Sequence, residues 1–323
     1  MGPSAPIVPG TTVSCQDMHP EVGITSTPVI DPSTGTMYVE AKGIENGQYV
    51  QRLHALDVTT GEERPGSPVV IAASVPGTGD GSVNGMVSFS AQKQLNRPGL
   101  LLYNGNVFLA FASHCDNSPY HGWVLGYDAQ TLKQTSVYVN TSSGSEGGIW
   151  QAGMGLSADD SGIYAVVANG STNPTLNPPL IGIGVARLDP TGVHVADWWV
   201  PTNFSNMNAE DNDLCSGAVL LPGSNLLLAG GKDGNMYVLD RTNLGKYNAG
   251  SDQILQTVPM GGHVHSSLNY WAGPTKGPWV YLWAENSLLT AYQVGAKGIV
   301  TTPASQITLD VRPGHPGGHL VRR

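Results

Sequence analysis

No stretch of this 323-residue chain approaches the ~18 consecutive apolar residues that a membrane-spanning helix needs. Runs of Lys or Arg are missing too. Its 15 basic side chains stand against 24 acidic ones, and the net charge of −9 argues against a nucleic-acid backbone as partner. The opening residues, MGPSAPIVPGTTVSC, have neither the basic start nor the apolar middle of a signal peptide, so none is expected within them. Cysteine is scarce: Cys15, Cys115 and Cys215 leave at least one thiol unpaired, and none has zinc-motif spacing. A Cys15–Cys115 disulfide is open to the chain in an oxidising compartment. Charged side chains make up only 12%, and no apolar stripe of helical period is visible, so a helical bundle is excluded.

What the chain does have is 42 Gly and 23 Pro, a mix that suits many short strands and turns around a large core. Low Lys with abundant Thr, Ser, Asn and Gly points to an extracytoplasmic protein, secreted or periplasmic, whose leader is absent from this sequence. The segment 226–246, LLLAGGKDGNMYVLDRTNLGK, reads as two strands joined by a tight turn. Its second half recurs as LHALDVTTGE at 53–62, VLGYDAQ at 124–130 and VARLDPTG at 185–192. In each, an Asp (Asp57, Asp128, Asp189, Asp240) closes a strand and opens a turn whose backbone N–H groups it can accept, a structural duty.

Strand patterns group by fours. The expected units are 23–75, 97–142, 150–201, 215–259 and 265–311, with an outer strand in 1–22 and an unfinished unit in 312–323. Four short strands repeated at this period predict an all-β fold, a β-propeller of about five four-stranded antiparallel blades in an incomplete or open ring. A β-sandwich is the alternative, but it does not account for the recurring phrase.

The phrases LHALDVTTGE and GGKDGNMYVLDRTNLGK resemble the repeats of the PQQ-like propellers, the superfamily of the quinoprotein alcohol dehydrogenases and their non-enzymatic relatives. The likeness covers about 23–320 as a blade pattern. Complete members close seven or eight blades, so the resemblance implies that this chain is partial. It also implies pyrroloquinoline quinone (PQQ) with calcium as cofactor: YAVVANGSTNP at 164–174 is similar to the loop that gives calcium an Asn oxygen, which places Asn169 as ligand. The sequence departs from the family in lacking the Gly-Lys-x-x-Trp ending, an adjacent-cysteine pair, and a carboxylate base in the loop after Asn169.

In a four-stranded blade the loop between strands two and three and the loop into the next blade emerge on one face. Here those are the long ones: 42–48, 75–98, 114–122, 169–184, 202–215 and 260–265. Binding is expected there, to a protein or a small molecule. They hold His114, Asp116 and His121 in HCDNSPYHG, Glu210, Asp211 and Asp213 in AEDND, and His263 and His265 in GGHVH. His114, Asp116, His121, His263 and His265 are the candidate ligands for a transition metal. Hydrogen bonding to loop backbones is the plain reading of the same side chains. Trp123, beside the first His loop, is the candidate to stack on a cofactor, whereas Trp150, Trp271, Trp279 and Trp283 read as packing. Lys232 and Asp233 read as a turn. Three functions follow: a binding or interaction scaffold acting through the long-loop face; a PQQ- and calcium-dependent oxidoreductase of alcohols or sugars; or a metal-dependent enzyme at the channel mouth.

Overall fold

The structure, a computed structural model, describes residues 5–6, 20–151, 153–265, 268–273, 277–315 and 317–318. Five antiparallel sheets follow one another along the chain. Blade 1 is built from Val29–Asp31, Thr36–Glu45, Gln48–Asp57 and Val69–Val70. Blade 2 uses Leu101–Tyr103, Asn106–Ser113, Trp123–Asp128 and Gln134–Val139. Blade 3 uses Ser157–Asp159, Gly162–Gly170, Gly184–Leu188 and Val195–Trp199. Blade 4 uses Val219–Leu220, Leu226–Gly230, Asn235–Asp240 and Gln256–Pro259. Blade 5 uses Asn269–Trp271, Trp279–Leu282 and Thr290–Gly295, with Gly298–Ile299 and Ser305–Gln306 sharing its outer side.

Packing between consecutive blades explains why the strands are so apolar on both faces. Blade 1 meets blade 2 through Tyr38, Leu53, Leu109 and Trp123, and blade 2 meets blade 3 through Phe108, Val124, Ile163 and Val167. Blade 3 meets blade 4 through Tyr164, Trp199, Leu227 and Tyr237, and blade 4 meets blade 5 through Leu228, Val238, Val280 and Tyr292. Four cores in series between five stacked sheets are the architecture of a β-propeller.

The recurring Asp does what its local sequence dictates. Asp57 Oδ1 accepts from the backbone N–H of Thr59 at 2.8 Å and its hydroxyl at 2.5 Å. Asp128 serves Thr131, Asp189 serves Thr191 and Asp240 serves Thr242 in the same way. These side chains cap turns on the short-turn side of the blades.

Three loop expectations are corrected. Residues 42–48 are not a polar loop, because Thr36–Glu45 and Gln48–Asp57 pair over their whole length around a two-residue turn at Asn46 and Gly47, both with positive φ. Polar residues run into the fold there because distant carbonyls receive them: Lys42 donates to the Gln92 oxygen at 2.6 Å, and Gln51 to the Gln94 oxygen at 2.7 Å. The stretch 75–98 contains a ribbon of Ser74–Pro76 and Met86–Ser88, and 202–215 contains a helix, Phe204–Ala209.

The first strands of blades 2 and 3 are each broken in two. Gln94–Leu95 and Leu101–Tyr103 pair with opposite ends of Asn106–Ser113, and Glu146–Gly148 and Ser157–Asp159 do so with Gly162–Gly170. The breaks touch through a parallel bridge between Gly99 and Gly155, where a Cβ on Gly155 would stand 2.8 Å from the Gly99 carbonyl. Residues freed from the ladder at these breaks turn into the mouth of the propeller.

Candidate functional site

A cavity of about 500 Å³ opens at the long-loop end, and every blade contributes to it or to the segment leading into it. The broken first strands supply Arg97 and Trp150. The loops after the second strands supply His114, Asp116 and Lys232, and the entries to blades 4 and 5 supply Asp213, Cys215 and His265. Trp150 is therefore a wall of the cavity as well as a packing residue, set edge to face with Tyr120 at 6.3 Å.

The first predicted ligand set does not converge. His114 Nε2 lies 2.8 Å from Lys42 Nζ, and burial, then the Lys42 charge, push the imidazole down to about 3. His121 is engaged at both nitrogens, 2.9 Å from Thr141 Oγ1 and 2.9 Å from the Asp80 carbonyl, and it does not line the cavity. Asp116 lines the cavity and accepts from the Tyr120 hydroxyl at 2.5 Å. These three side chains hold loops together. Trp123, expected to stack on a cofactor, is fully buried between blades 1 and 2 with its ring 5.7 Å from Phe89.

Asn169 has a positive φ, donates to Asp211 Oδ1 at 2.6 Å, and leaves its own side-chain oxygen shielded and without a hydrogen-bond partner. That orphan oxygen is what a calcium ligand would look like. The surrounding charges, however, are already balanced: Lys232 Nζ stands 2.8 Å from Asp211 and 2.7 Å from Asp213. Burial pushes Asp213 up to about 7 against the pull of Lys232, and Asp211 and Asp116 push the same way. Burial lowers Lys232, but the charges and hydrogen bonds of Asp213 and Asp211 together outweigh it, so the ammonium is held above its ordinary value. The cation of this site is the lysine. Calcium takes six to eight oxygens, and here an ammonium fills the gap between the two carboxylates while Trp123 is unavailable as a platform. The residues do not fit PQQ and calcium.

Two features of the mouth escape a reading of the sequence. Arg97 lies over the Trp150 ring, 5.9 Å from its centroid, near enough to His265 and Cys215 for its charge to act on both, and has no carboxylate partner among the described residues. The second is a cluster around Glu285, on the turn after the second strand of blade 5. His263 Nδ1 lies 3.6 Å from Glu285 Oε2, His265 Nε2 lies 3.4 Å from it, and His315 Nδ1 lies 3.4 Å from it. The signal for Glu285 is its repeat position, since His114 and Lys232 occupy the corresponding place in blades 2 and 4. His315 belongs to the segment expected to open another blade, and the bond from Asn286 N–H to the Pro313 carbonyl at 2.7 Å ties that segment to the Glu285 turn.

Cys115 is disulfide-bonded, whereas Cys215 is free and buried, and Cys15 lies outside the described residues.

No protein-family model and no curated protein matches the chain. Among solved structures it is similar to the quinohemoprotein alcohol dehydrogenase from Comamonas testosteroni, at 17% identity and a TM-score of 0.45, over 85% of this chain and 53% of that one. It is also similar to the β-propeller domain of Cps50 (Swd1) from Myceliophteria thermophila, at 13% identity and a TM-score of 0.41, over 84% of this chain and 66% of that one. The chain thus spans about half the length of the first and about two thirds of the second. Neither likeness bears on chemistry.

Proposed function

We propose that this β-propeller is an extracytoplasmic binding module that receives a small anionic molecule in the cavity at its long-loop end, with Arg97 as the charge that holds it. The observation that carries this reading is the state of Arg97. A guanidinium half-buried in a polar cavity, stacked on an indole and facing no carboxylate among the described residues, is a prepared anion site. The other charges around the cavity are engaged. Lys232 is held by Asp211 and Asp213, and Asp116 by Tyr120. The disulfide at Cys115 supports placement in an oxidising compartment.

Calorimetric titration with inorganic phosphate, acetate and succinate tests the reading. At least one is expected to bind the wild type at or below millimolar concentration and to lose at least tenfold in affinity to Arg97→Gln. Binding that Arg97→Gln leaves intact, or no binding by any of the three, sinks it.

A further inference from the structure

We infer that His263, His265 and Glu285, with His315 beside them, form a site for one divalent transition-metal ion on the wall of the propeller mouth. Three imidazole nitrogens from two separate segments point at a single carboxylate oxygen, at 3.6, 3.4 and 3.4 Å. Those separations are too long for hydrogen bonds between charged partners, which close to about 2.7–2.9 Å. This chain supplies its own comparison: His54 and Glu63, an ordinary His–carboxylate pair, stand 2.6 Å apart. A tetrahedral ion with bonds of about 2.1 Å instead sets its ligand atoms about 3.4 Å from one another. His263, His265 and Glu285 offer ligand atoms that all lie within 4.8 Å of one another, close enough for one ion to gather, with His315 beside Glu285.

A second observation points the same way. Among buried side-chain atoms, His265 Nε2 and Glu285 Oε2 are both shielded from solvent and both without a hydrogen-bond partner. An imidazole nitrogen and a carboxylate oxygen left unsatisfied side by side in the interior each forfeit the hydrogen bonds they would make to water. One cation between them satisfies both. The far nitrogen of His265 is already oriented, 3.4 Å from Cys215 Sγ, and that thiol is also 3.4 Å from the Val264 carbonyl. Donating to the carbonyl, the thiol can accept from Nδ1–H, which leaves the Nε2 lone pair facing Glu285. Orientation of a ligating imidazole through its other nitrogen is the usual outer support of a metal site.

The backbone fixes the three ligands and His315 relative to each other. Glu285 N–H donates to the His263 carbonyl at 3.0 Å, and the Asn286–Pro313 bond brings the His315 segment across the same turn. Two imidazoles with one carboxylate, and a third imidazole beside them, suit zinc, copper, nickel or ferrous iron and not calcium or magnesium, which take oxygen ligands. Because His265 and His315 line the cavity, the ion would face it. The inference does not require Arg97 to bind an anion.

Full-length protein without an affinity tag, stripped with a chelator, is titrated with Co²⁺ and with Zn²⁺ in the absence of any organic ligand, so the result is independent of the anion reading. One ion per chain by elemental analysis is expected, with the intense visible absorption of tetrahedral Co²⁺, displaced by Zn²⁺. Loss of an outer-shell partner weakens such sites by roughly 10–100-fold, and Glu285→Gln or His265→Ala is expected to exceed that. His194→Ala, at an exposed side chain in the short Asp189 turn away from the cavity, should bind as the wild type does. Because Glu285 and His265 are shielded, their variants can fail to fold. His263→Ala and His315→Ala, at side chains 53% and 65% exposed, keep the test open. Absence of stoichiometric Co²⁺ uptake at micromolar concentration, or uptake unchanged in both of the exposed-histidine variants, overturns the proposal.

Discussion

Lys42 Nζ lies 2.8 Å from His114 Nε2, so two basic side chains share one hydrogen bond in the interior. Such a contact requires at least one of them to be neutral. Burial, followed by the charge of Lys42, keeps His114 unprotonated. Burial also lowers Lys42 to about 7, against the pull of Glu40. The unfolded chain holds the lysine proton up to about 10.5, so between about 7 and about 10.5 the unfolded state binds more protons and stability rises with pH. The free energy of unfolding of the wild type minus that of Lys42→Met is therefore expected to grow across this window. Its growth should be on the order of 1 kcal/mol or more, each pKa unit being worth about 1.4 kcal/mol. Urea unfolding at several pH values measures it, and a difference that stays flat or shrinks contradicts the placement of Lys42.

Lys232 carries the charge balance on the other side of the mouth. Asp213, with its side chain 5% exposed, has Lys232 as its ion-pair partner. Lys232→Met leaves that buried carboxylate beside Asp211 with no cation, a loss that costs about 3–5 kcal/mol when it cannot be relieved. Because Asp213 already sits at about 7, protonation relieves part of the loss, and a cost of about 3 kcal/mol is expected at neutral pH. The double variant Lys232→Met, Asp213→Asn should recover at least half. Equal stabilities of single and double variants would mean that the ion pair does not matter.

How far the sequence reveals this molecule depends on how local each interaction is. Asp57, Asp128, Asp189 and Asp240 bond to residues two to four positions ahead, so their turns, and with them the blade rhythm, are readable from the chain itself. Lys42 and Gln51 look like loop residues because the carbonyls that admit them to the interior lie 40 to 52 residues away. The candidate site divides in the same manner. His263 and His265 announce themselves as a pair in GGHVH, but Glu285 looks like one more turn carboxylate, and His315 enters only through a backbone bond between Asn286 and Pro313. His114 and His121 have the right chemistry for a ligand, yet the fold gives His114 Nε2 to Lys42 and both His121 nitrogens to Thr141 and the Asp80 carbonyl, and it leaves His114 Nδ1 shielded without a hydrogen-bond partner.

Trp123 illustrates why proximity in sequence to a histidine loop misleads. Its ring packs on Phe89 and within the shared core of blades 1 and 2. Trp123→Ala should cost about 3–5 kcal/mol through the cavity it opens. The folded fraction of the variant should take up Co²⁺, and bind whichever of the three anions the wild type accepts, with unchanged affinity. A stable Trp123→Ala protein with impaired binding would return this residue to the site.

Gly262 is where the blade 4 to blade 5 connection is clamped against the Glu285 turn. A Cβ there would stand 1.9 Å from the Glu285 carbonyl oxygen, and backbone on both sides would have to move. Gly314, beside His315, has nothing within 4 Å of where its Cβ would go, so it provides the comparison. Gly262→Ala should destabilise by about 1–3 kcal/mol, the usual cost of overpacking, and should weaken Co²⁺ binding by displacing Glu285 from His263 and His265. Gly314→Ala should change neither quantity. Thermal unfolding and Co²⁺ titration of the two variants separate the cases. If Gly262→Ala loses stability but binds Co²⁺ as tightly as the wild type, the clamp serves the fold alone, and the spacing of Glu285 from its histidines does not depend on it.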